Sequence, residues 1–504
     1  MSAGELAIRD PDLRSARLPR WARQAFWLTL FAVLPTFLMG RLIAQHGLGW
    51  DFRAFYDGAR AYLHGASPYP RDSLAALADK QEFVYPAPTA LLLAPFALLP
   101  YTVALLLWLV LSIASIALAL RVVGVRDWRC FGALMLTLPA EHSVRLGTLG
   151  PPMLLLLALL WRYRDRVVLA AVLAAVLALS KVFLAPLLFW LAFTRRLRSA
   201  VLAAVLAGLL CVLAWLPLGE STILSYPSLL HALAAYEQTF SYSFTSLLVG
   251  LGAEPTVATV LAALAGVALL CLAYTRRSDD ELVFRLALAA CFVLSPIVWG
   301  HYLLLLAVPV ALRWPRLGPA WVLALWVRSD TLGLHYASVW IVCAMLVMAV
   351  QLGLLVPRGD WARFGPARVR LAFVVAAVAG LQLVSLSSAE AGYTRSAALS
   401  ALSGGRGASG AASLRIVRPA HRLCWRIWTQ ALPSRAAVIA VEPRVVGQAV
   451  VLATRITDAQ AQGCAVLPTW DRTLLRGLIG TPRRYRVLVA VPGRPVIGGP
   501  LSGE

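Results

Sequence analysis

The chain has 504 residues, 60% of them hydrophobic and 14% charged, with a mean hydropathy of +0.75. Those values exclude a soluble globular domain and predict a polytopic membrane protein. The formal net charge of +22 would suit a nucleic-acid partner, but the arginines fall in short clusters between apolar runs, which is the positive-inside pattern.

Residues 1–24 carry Arg9, Arg14, Arg17, Arg20 and Arg23, which predicts a cytoplasmic N-terminus. The apolar run Phe26–Ile43 is too long for a cleavable signal core and has no small-residue cleavage site after it. It predicts a retained first helix over 25–45. The next stretch, 46–88, is expected as an outer loop. It is aromatic and charged, with Asp51, Arg53, Asp57, Arg60, Arg71, Asp72, Asp79, Lys80 and Glu82. A loop that long is more than a connection.

A helix over about 89–120 returns to Arg121, Arg126 and Arg129. Shorter apolar segments follow at 130–140 and 151–161, then one that rises to Lys181 and one that descends to Arg195, Arg196 and Arg198. A helix over 199–218 leads to a second outer loop, 219–243. Further helices end at Arg276 and Arg277, at His301, at Arg313 and Arg316, at Arg328–Asp330 and at the cluster Arg358–Arg370, and a last one is expected over 371–388. The total is about 11–13 helices in a transmembrane region, 25–389. Lys and Arg divide 22 to 7 in favour of the inner loops, leaving aside Arg41, Arg285 and the tail. At about 1.5 Å per residue, 130–140, 151–161 and 302–312 are too short to cross a bilayer. They read as half-helices lining a cavity.

The tail, 390–504, is placed outside. Its Gly-, Ala- and Ser-rich start reads as a flexible linker, 390–413. A small α/β domain is expected over 414–504, from strands at Ala436–Val441, Val450–Thr454 and Tyr485–Val491 and a helix around Thr457–Gly463. With 15 Arg and 5 acidic residues the tail is strongly basic. Outside a cell that points to an anionic lipid or glycan surface, or to a solvated cap, and not to nucleic acid. The tail holds Cys424 and Cys464 and no other cysteine. Small domains in oxidising compartments often carry a staple, so a Cys424–Cys464 disulfide is expected. The other five cysteines sit singly in or beside apolar runs and read as small hydrophobes.

On this topology the distinctive polar residues converge on the outer side. The run Asp51-Phe52, Tyr56, Gly65-Ala66-Ser67-Pro68-Tyr69, Tyr85-Pro86-Ala87-Pro88, Pro95 and Leu99-Pro100 resembles the first loop and second helix of glycosyltransferase family 87. Arg145-Leu146-Gly147 is similar to that family's Arg-x-Gly-Gln, with Thr148 in place of the Gln. Lys181 matches the lysine that follows its next helix. Ser295-Pro296-Ile297-Val298-Trp299-Gly300-His301 is close to its Ser-Pro-x-x-Trp-x-His, with Tyr302 in place of a second His. The resemblance covers roughly 25–315. It implies an all-α GT-C fold in the cell (inner or plasma) membrane. It also implies an inverting transferase of the mannosyltransferase type, moving a hexose from a polyprenyl-phosphate donor to a lipid or glycan acceptor.

The chemistry expected of these residues follows. Asp51 is the candidate general base, since an acceptor hydroxyl must lose its proton as the new C–O bond forms. The resemblance implies this role. The plainer reading is a carboxylate that caps a helix or pairs with Arg53. Arg145, Lys181 and Arg41 are candidates for the donor phosphate, or else snorkel to head groups. His301 is a candidate partner of phosphate or sugar, and Glu141 and His142 of sugar. Tyr56, Tyr69, Tyr85 and Trp50 are placed to stack on sugar faces, as interfacial aromatics also do without a ligand. Arg53 and Asp57 complete the candidate substrate-binding set. No carboxylate pair has metal-site spacing on that side, so no metal or other cofactor is expected. A transporter or flippase would show repeated halves and polar residues at mid-membrane, and the sequence has neither in clear form.

Overall fold

The computed structural model describes residues 19–43, 48–69, 83–237, 241–251, 253–323 and 345–354, and eight strands between 392 and 500. The expected segments at 324–344 and 371–388, and the charged stretch 70–82, lie outside the described residues.

The first helix runs as α1 (Arg20–Leu28), a π-helical stretch (Thr29–Val33) and α2 (Leu34–Ile43). The expected outer loop opens as a helix, α3 (Trp50–Leu63). Its buried positions, Phe52, Phe55, Tyr56 and Ala59, recur at helical spacing and pack on the bundle. The helix expected over 89–120 is two, α4 (Ala87–Ala97) and α5 (Tyr101–Val122). The break is local. Pro100 cannot continue α4, and it sits as the N-cap of α5.

α6 (Trp128–Met135) and α7 (Leu138–Leu146) follow, and α7 meets α8 (Gly150–Tyr163) at a bend of 117°. α9 (Val167–Ser180) ends at Lys181, a 3-10 turn (Val182–Leu184) carries the chain into α10 (Leu187–Phe193), and α11 (Leu197–Trp215) comes next. The second expected outer loop is again helical, α12 (Glu220–Glu237). α13 (Phe244–Gly250), α14 (Pro255–Thr275) and α15 (Asp280–Leu294) lead to a 3-10 helix (Gly300–Leu306), α16 (Ala307–Arg313) and α17 (Pro319–Val322).

Four helical stretches among the described residues are long and apolar enough to cross a membrane: Trp21–Arg41, Tyr101–Val122, Leu197–Leu218 and Pro255–Thr275. The bent pair α7–α8 would make a fifth. The protein is a polytopic α-helical membrane protein, with fewer full spans in these residues than the apolar runs suggest. Several of those runs, such as Val167–Ser180 and Gly300–Arg313, are short helices among neighbours. α5, α11 and α14 turn apolar faces outward, with Leu106, Val110, Val205 and Leu264 exposed. α15 and the 3-10 helix after it are buried on nearly every side.

At one end of the bundle a carboxylate ties three elements together. Asp280, the first residue of α15, accepts hydrogen bonds from Arg164 at 2.7 Å, from Arg196 at 2.8 and 3.0 Å and from the Trp190 indole at 2.8 Å. Arg196 also pairs with Asp165 at 2.8 Å.

The described tail is a sheet, with order β5-β4-β7-β8-β1-β2-β3-β6 and antiparallel throughout. The strands are β1 (Gly392–Ala401), β2 (Ser409–Val417), β3 (Arg422–Thr429), β4 (Val438–Pro443), β5 (Val450–Ala453), β6 (Gln460–Val466), β7 (Tyr485–Ala490) and β8 (Ile497–Pro500). The expected strands are met at β4, β5 and β7. Two expectations are corrected. The stretch read as a flexible linker supplies β1 and β2, and β1 lies inside the sheet between β8 and β2. Where a helix is expected around Thr457–Gly463, the described part, from Gln460, is strand β6, paired along its length with β3. Cross-strand pairing overrides the weak local preference of Gln, Ala and Gly. The α/β character expected of the tail is therefore all-β in its described residues. The edge strands β5 and β6 approach each other, so the sheet curls toward closure.

Two predictions follow from this architecture. Burial pushes the Asp280 carboxyl up, but its bonds from Arg196, Arg164 and Trp190 outweigh that and hold it below the ordinary 3.8. A lowered folded value stabilises above the unfolded value and is lost as pH falls through the folded one. Asp280→Asn is expected to cost about 1–3 kcal/mol at neutral pH, read by thermal melts in detergent, with the gap to wild type closing below about pH 4. A gap that does not change with pH would assign the effect to packing. In the tail, Cys424 stands directly opposite Cys464 in the β3–β6 register. Opposed antiparallel residues have Cα atoms about 4.5–5.5 Å apart, within disulfide reach. Protein purified without reductant and then denatured is expected to titrate five thiols of its seven cysteines; seven would refute the bridge.

Candidate active site

The site is built where four chain breaks meet. The first is the turn into α3. Gly49 takes a left-handed conformation (φ 70°) and donates its N–H to the Arg145 carbonyl at 2.8 Å. Asp51 follows in the first turn of α3, half-buried. The second is the end of α7, capped by Gly147 (φ 69°). A Cβ at Gly147 would lie 2.7 Å from the Phe52 Cβ, and the Trp108 indole donates to the Gly147 carbonyl at 2.9 Å. Glycine is required there twice over, by its backbone angle and by the closeness of α3.

The third break is at Lys181. It is extended (φ −155°) and ends α9. The Thr89 hydroxyl, at the start of α4, donates to the Leu179 carbonyl at 3.2 Å and so draws α4 to this point. The fourth is the strand-like stretch Pro296–Trp299. The Val298 N–H donates to the Ser241 hydroxyl at 2.8 Å, and the Val298 carbonyl accepts the Tyr242 N–H at 2.7 Å. That stretch delivers Trp299, His301 and Tyr302.

Lys181 is the centre of the cluster. Its side chain is 6% exposed. The ammonium donates to the Tyr302 hydroxyl and lies 3.7 Å from the Tyr302 ring centroid, 4.4 Å from Tyr85 and 4.9 Å from Trp299. An aromatic cage of this kind stabilises a cation that has lost its water. Asp51 acts electrostatically on both Lys181 and Tyr85. His301 is buried and feels Lys181 and His142. Arg145 in turn acts on Glu141 and His142. Three buried polar atoms along this chain have no hydrogen-bond partner among the described residues: Arg145 Nε, His301 Nε2 and Ser143 Oγ. Orphaned buried donors and acceptors are rare, and a cluster of them marks a place for a ligand.

The structure therefore brings together Asp51, Tyr85, Glu141, His142, Arg145, Lys181 and His301. It gives the other candidates structural partners. Arg53 pairs with Asp57 at 2.6 Å on the exposed face of α3, and its guanidinium also covers the Tyr101 ring. The Tyr56 hydroxyl is buried and donates to the Leu99 carbonyl at 2.7 Å. Tyr69 is buried, donates to the Tyr85 carbonyl at 2.9 Å and stacks on Trp215. Arg41 is exposed in the last turn of α2. Sequence reasoning passed over Tyr302, Trp299 and Ser143. The first two were signalled, since both lie in the motif that carries His301; Ser143, within the polar run 141–148, had no chemical signal of its own.

The sequence model of glycosyltransferase family 87 matches residues 83–300. Residues 83–300 belong to glycosyltransferase family 87. That membrane-embedded segment is of glycosyltransferase type. The family 87 segment holds Tyr85, Glu141, His142, Arg145, Lys181 and Trp299; His301 and Tyr302 lie just past its end, and Asp51 lies well before its start. No curated protein and no solved structure matches the chain at a significant level.

The close approach at Gly147 gives a prediction. Gly147→Ala incurs about 1–2 kcal/mol for the left-handed backbone and also pushes α3 and Asp51 away from Arg145. Transfer activity is expected to fall about a hundredfold, as for an ångström-scale misplacement. Gly65 is the control. It is also left-handed (φ 71°), but nothing lies within 4 Å of its missing Cβ. Gly65→Ala is expected to lower Tm and keep activity. Equal loss of activity in both variants would mean that the α3–α7 contact does not position the site.

Proposed function

We propose that the protein transfers a hexose, of the mannosyl type, from a polyprenyl-phosphate donor to an acceptor hydroxyl on a lipid or glycan, with inversion at the anomeric carbon. The observation that carries this reading is the buried Lys181 ammonium within electrostatic reach of the Asp51 carboxylate, beside the orphaned Arg145 Nε and His301 Nε2. A base and a set of anion-binding groups are what the reaction needs on opposite sides of one carbon.

The acceptor oxygen attacks the anomeric carbon and a C–O bond forms. Asp51 takes the acceptor proton as that bond forms. The bond from the anomeric carbon to the phosphate oxygen breaks, and polyprenyl phosphate leaves with the electron pair. Lys181, Arg145 and His301 hold the growing charge on that phosphate. In a dry site such preorganised donors count for more than in water. Tyr302 holds the Lys181 ammonium in place through its hydroxyl. Glu141 and His142, on the same short helix as Arg145, suit sugar hydroxyls. The charge bias of the loops supports an N-terminus inside, the site and the tail outside, and a cell-membrane location. An outer site meets lipid-linked sugars and not nucleotide sugars. The basic tail suits an anionic lipid or glycan surface there.

Asp51→Asn is expected to lower kcat by roughly 10²–10⁴, the range of a general base, with Tm unchanged. The assay offers purified protein radiolabelled polyprenyl-phosphate sugar and nucleotide sugar in parallel. Turnover retained by the variant removes Asp51 from the mechanism, and label taken from the nucleotide donor alone removes the lipid donor.

A further inference from the structure

The end of the bundle that holds Asp280 also holds an open groove of about 430 Å³. Its wall is made by Arg121 and the Val122–Gly124 turn at the end of α5, by Trp161, Arg162 and Arg164 at the end of α8, and by Leu312 of α16. The groove is far from the candidate active site. Tyr101, at the start of α5, lies under Arg53 beside the turn that carries Asp51. Arg121 lies some twenty residues along the same helix, about 30 Å at 1.5 Å per residue. The two sites are therefore at opposite ends of a membrane-spanning helix.

The charges of the groove are not balanced from within. Arg164 and Arg196 are offset by Asp280 and Asp165 in the network already described. Arg121 and Arg162 are exposed and have no acidic partner among the described residues. The groove thus presents two cations beside the apolar side chains of Val122, Val123 and Leu312. The face of α5 leading to it is apolar and open to lipid, with Val110, Leu111 and Leu118 exposed, the last of them one turn before Arg121. Trp161 is a ring suited to the level of the head groups.

We propose that this groove is a binding site for an anionic phospholipid. The head-group phosphate sits between Arg121 and Arg162, and an acyl chain lies along the exposed face of α5. A free phosphate would use the two arginines and leave the apolar track empty. The track is what selects a lipid. Basic pockets between helices at a membrane surface suit such head groups, with each arginine worth about fivefold in affinity.

The test uses the full chain in detergent and the double variant R121Q/R162Q. Three probes are titrated: phosphatidylglycerol, phosphatidylcholine with the same acyl chains, and inorganic phosphate. Bound lipid is read by native mass spectrometry. Wild type is expected to retain phosphatidylglycerol over phosphatidylcholine, and the double variant to bind phosphatidylglycerol about 25-fold more weakly, with lipid-free Tm unchanged. If the double variant does not fold, R121Q and R162Q alone are each expected to lose about fivefold. Unchanged phosphatidylglycerol affinity, or equal binding of phosphatidylcholine, overturns the proposal. Displacement of the lipid by inorganic phosphate at equal concentration overturns it too. The readout does not depend on sugar transfer, so it stands apart from the assignment of Asp51.

Discussion

A single backbone hydrogen bond, from the Gly49 N–H to the Arg145 carbonyl, fixes the distance between the two halves of the candidate active site. It is possible because two left-handed glycines, Gly49 and Gly147, meet with no Cβ between them; a Cβ on Gly147 would lie 3.6 Å from the Gly49 Cα. The Gly147 conformation ends α7 and frees the Gly147 carbonyl for Trp108. The Gly49 conformation starts α3 and aims its first turn, with Asp51, at the bundle. Phe52 then fills the space that a side chain at Gly147 would need, and packs on Trp108, Phe96 and Tyr101. One contact thus sets the place of the carboxylate, of the bent pair α7–α8 and of Arg145.

The bend is tolerable only because it is enclosed. A break in a helix frees backbone polar groups, and lipid has no water to satisfy them. Here Thr148 accepts from the Gly150 N–H at 3.1 Å, and the Thr148 N–H donates to the Ser143 carbonyl at 3.0 Å. The backbone is satisfied locally, while the side chains of Arg145 and Ser143 keep unpartnered atoms. That division matters. A protein that loses about 1–3 kcal/mol for each buried polar group left unpaired would close such a gap if nothing ever entered it. Lys181 follows the same logic with a charge. Its cage of Tyr85, Trp299 and Tyr302 and the nearby Asp51 make burial bearable, yet aromatic faces leave room for an anion to take over as the main partner.

How much of this was legible in the sequence depends on the kind of information involved. The membrane class was plain from composition. Asp51, Arg145, Lys181 and His301 stood out because each is a polar residue at the edge of an apolar run, in a fixed order, and the structure gathers them. Tyr56, Tyr69, Arg53 and Asp57 carried the same surface signals but are absorbed by packing. Their partners, the Leu99 and Tyr85 carbonyls and one another, come from folding. Only the pairing of Arg53 with Asp57, four residues apart on one helix, was open to sequence reasoning. The breaks in the apolar runs were only partly visible. Pro100 announces the α4–α5 break, whereas the helix in 50–63 was hidden by its charges, because an amphipathic helix at a membrane surface looks like a loop to an apolarity count. The strands at Gly392–Ala401 and Ser409–Val417 were hidden for a related reason. Small residues that read as a linker alone can hydrogen-bond as strands once neighbours on both sides supply the ladder.

The polar groups of the bundle are sorted by what they must do. At the Asp280 end Asp280 and Asp165 meet arginines, the Trp190 indole adds a neutral donor, and Arg164 lies 4.3 Å over the Trp161 ring. That network joins α8, α10, α11 and α15; α8 and α10 are the helices that follow, across short turns, the breaks at Arg145 and Lys181. At the Asp51 end the charges are fewer, more buried and incompletely satisfied. A fully paired knot around Asp280 at one end and an incompletely satisfied cluster at the other suit a membrane enzyme. Rigidity has to come from somewhere other than the reacting groups, because any group that spends its hydrogen bonds on the fold has none left for the transition state.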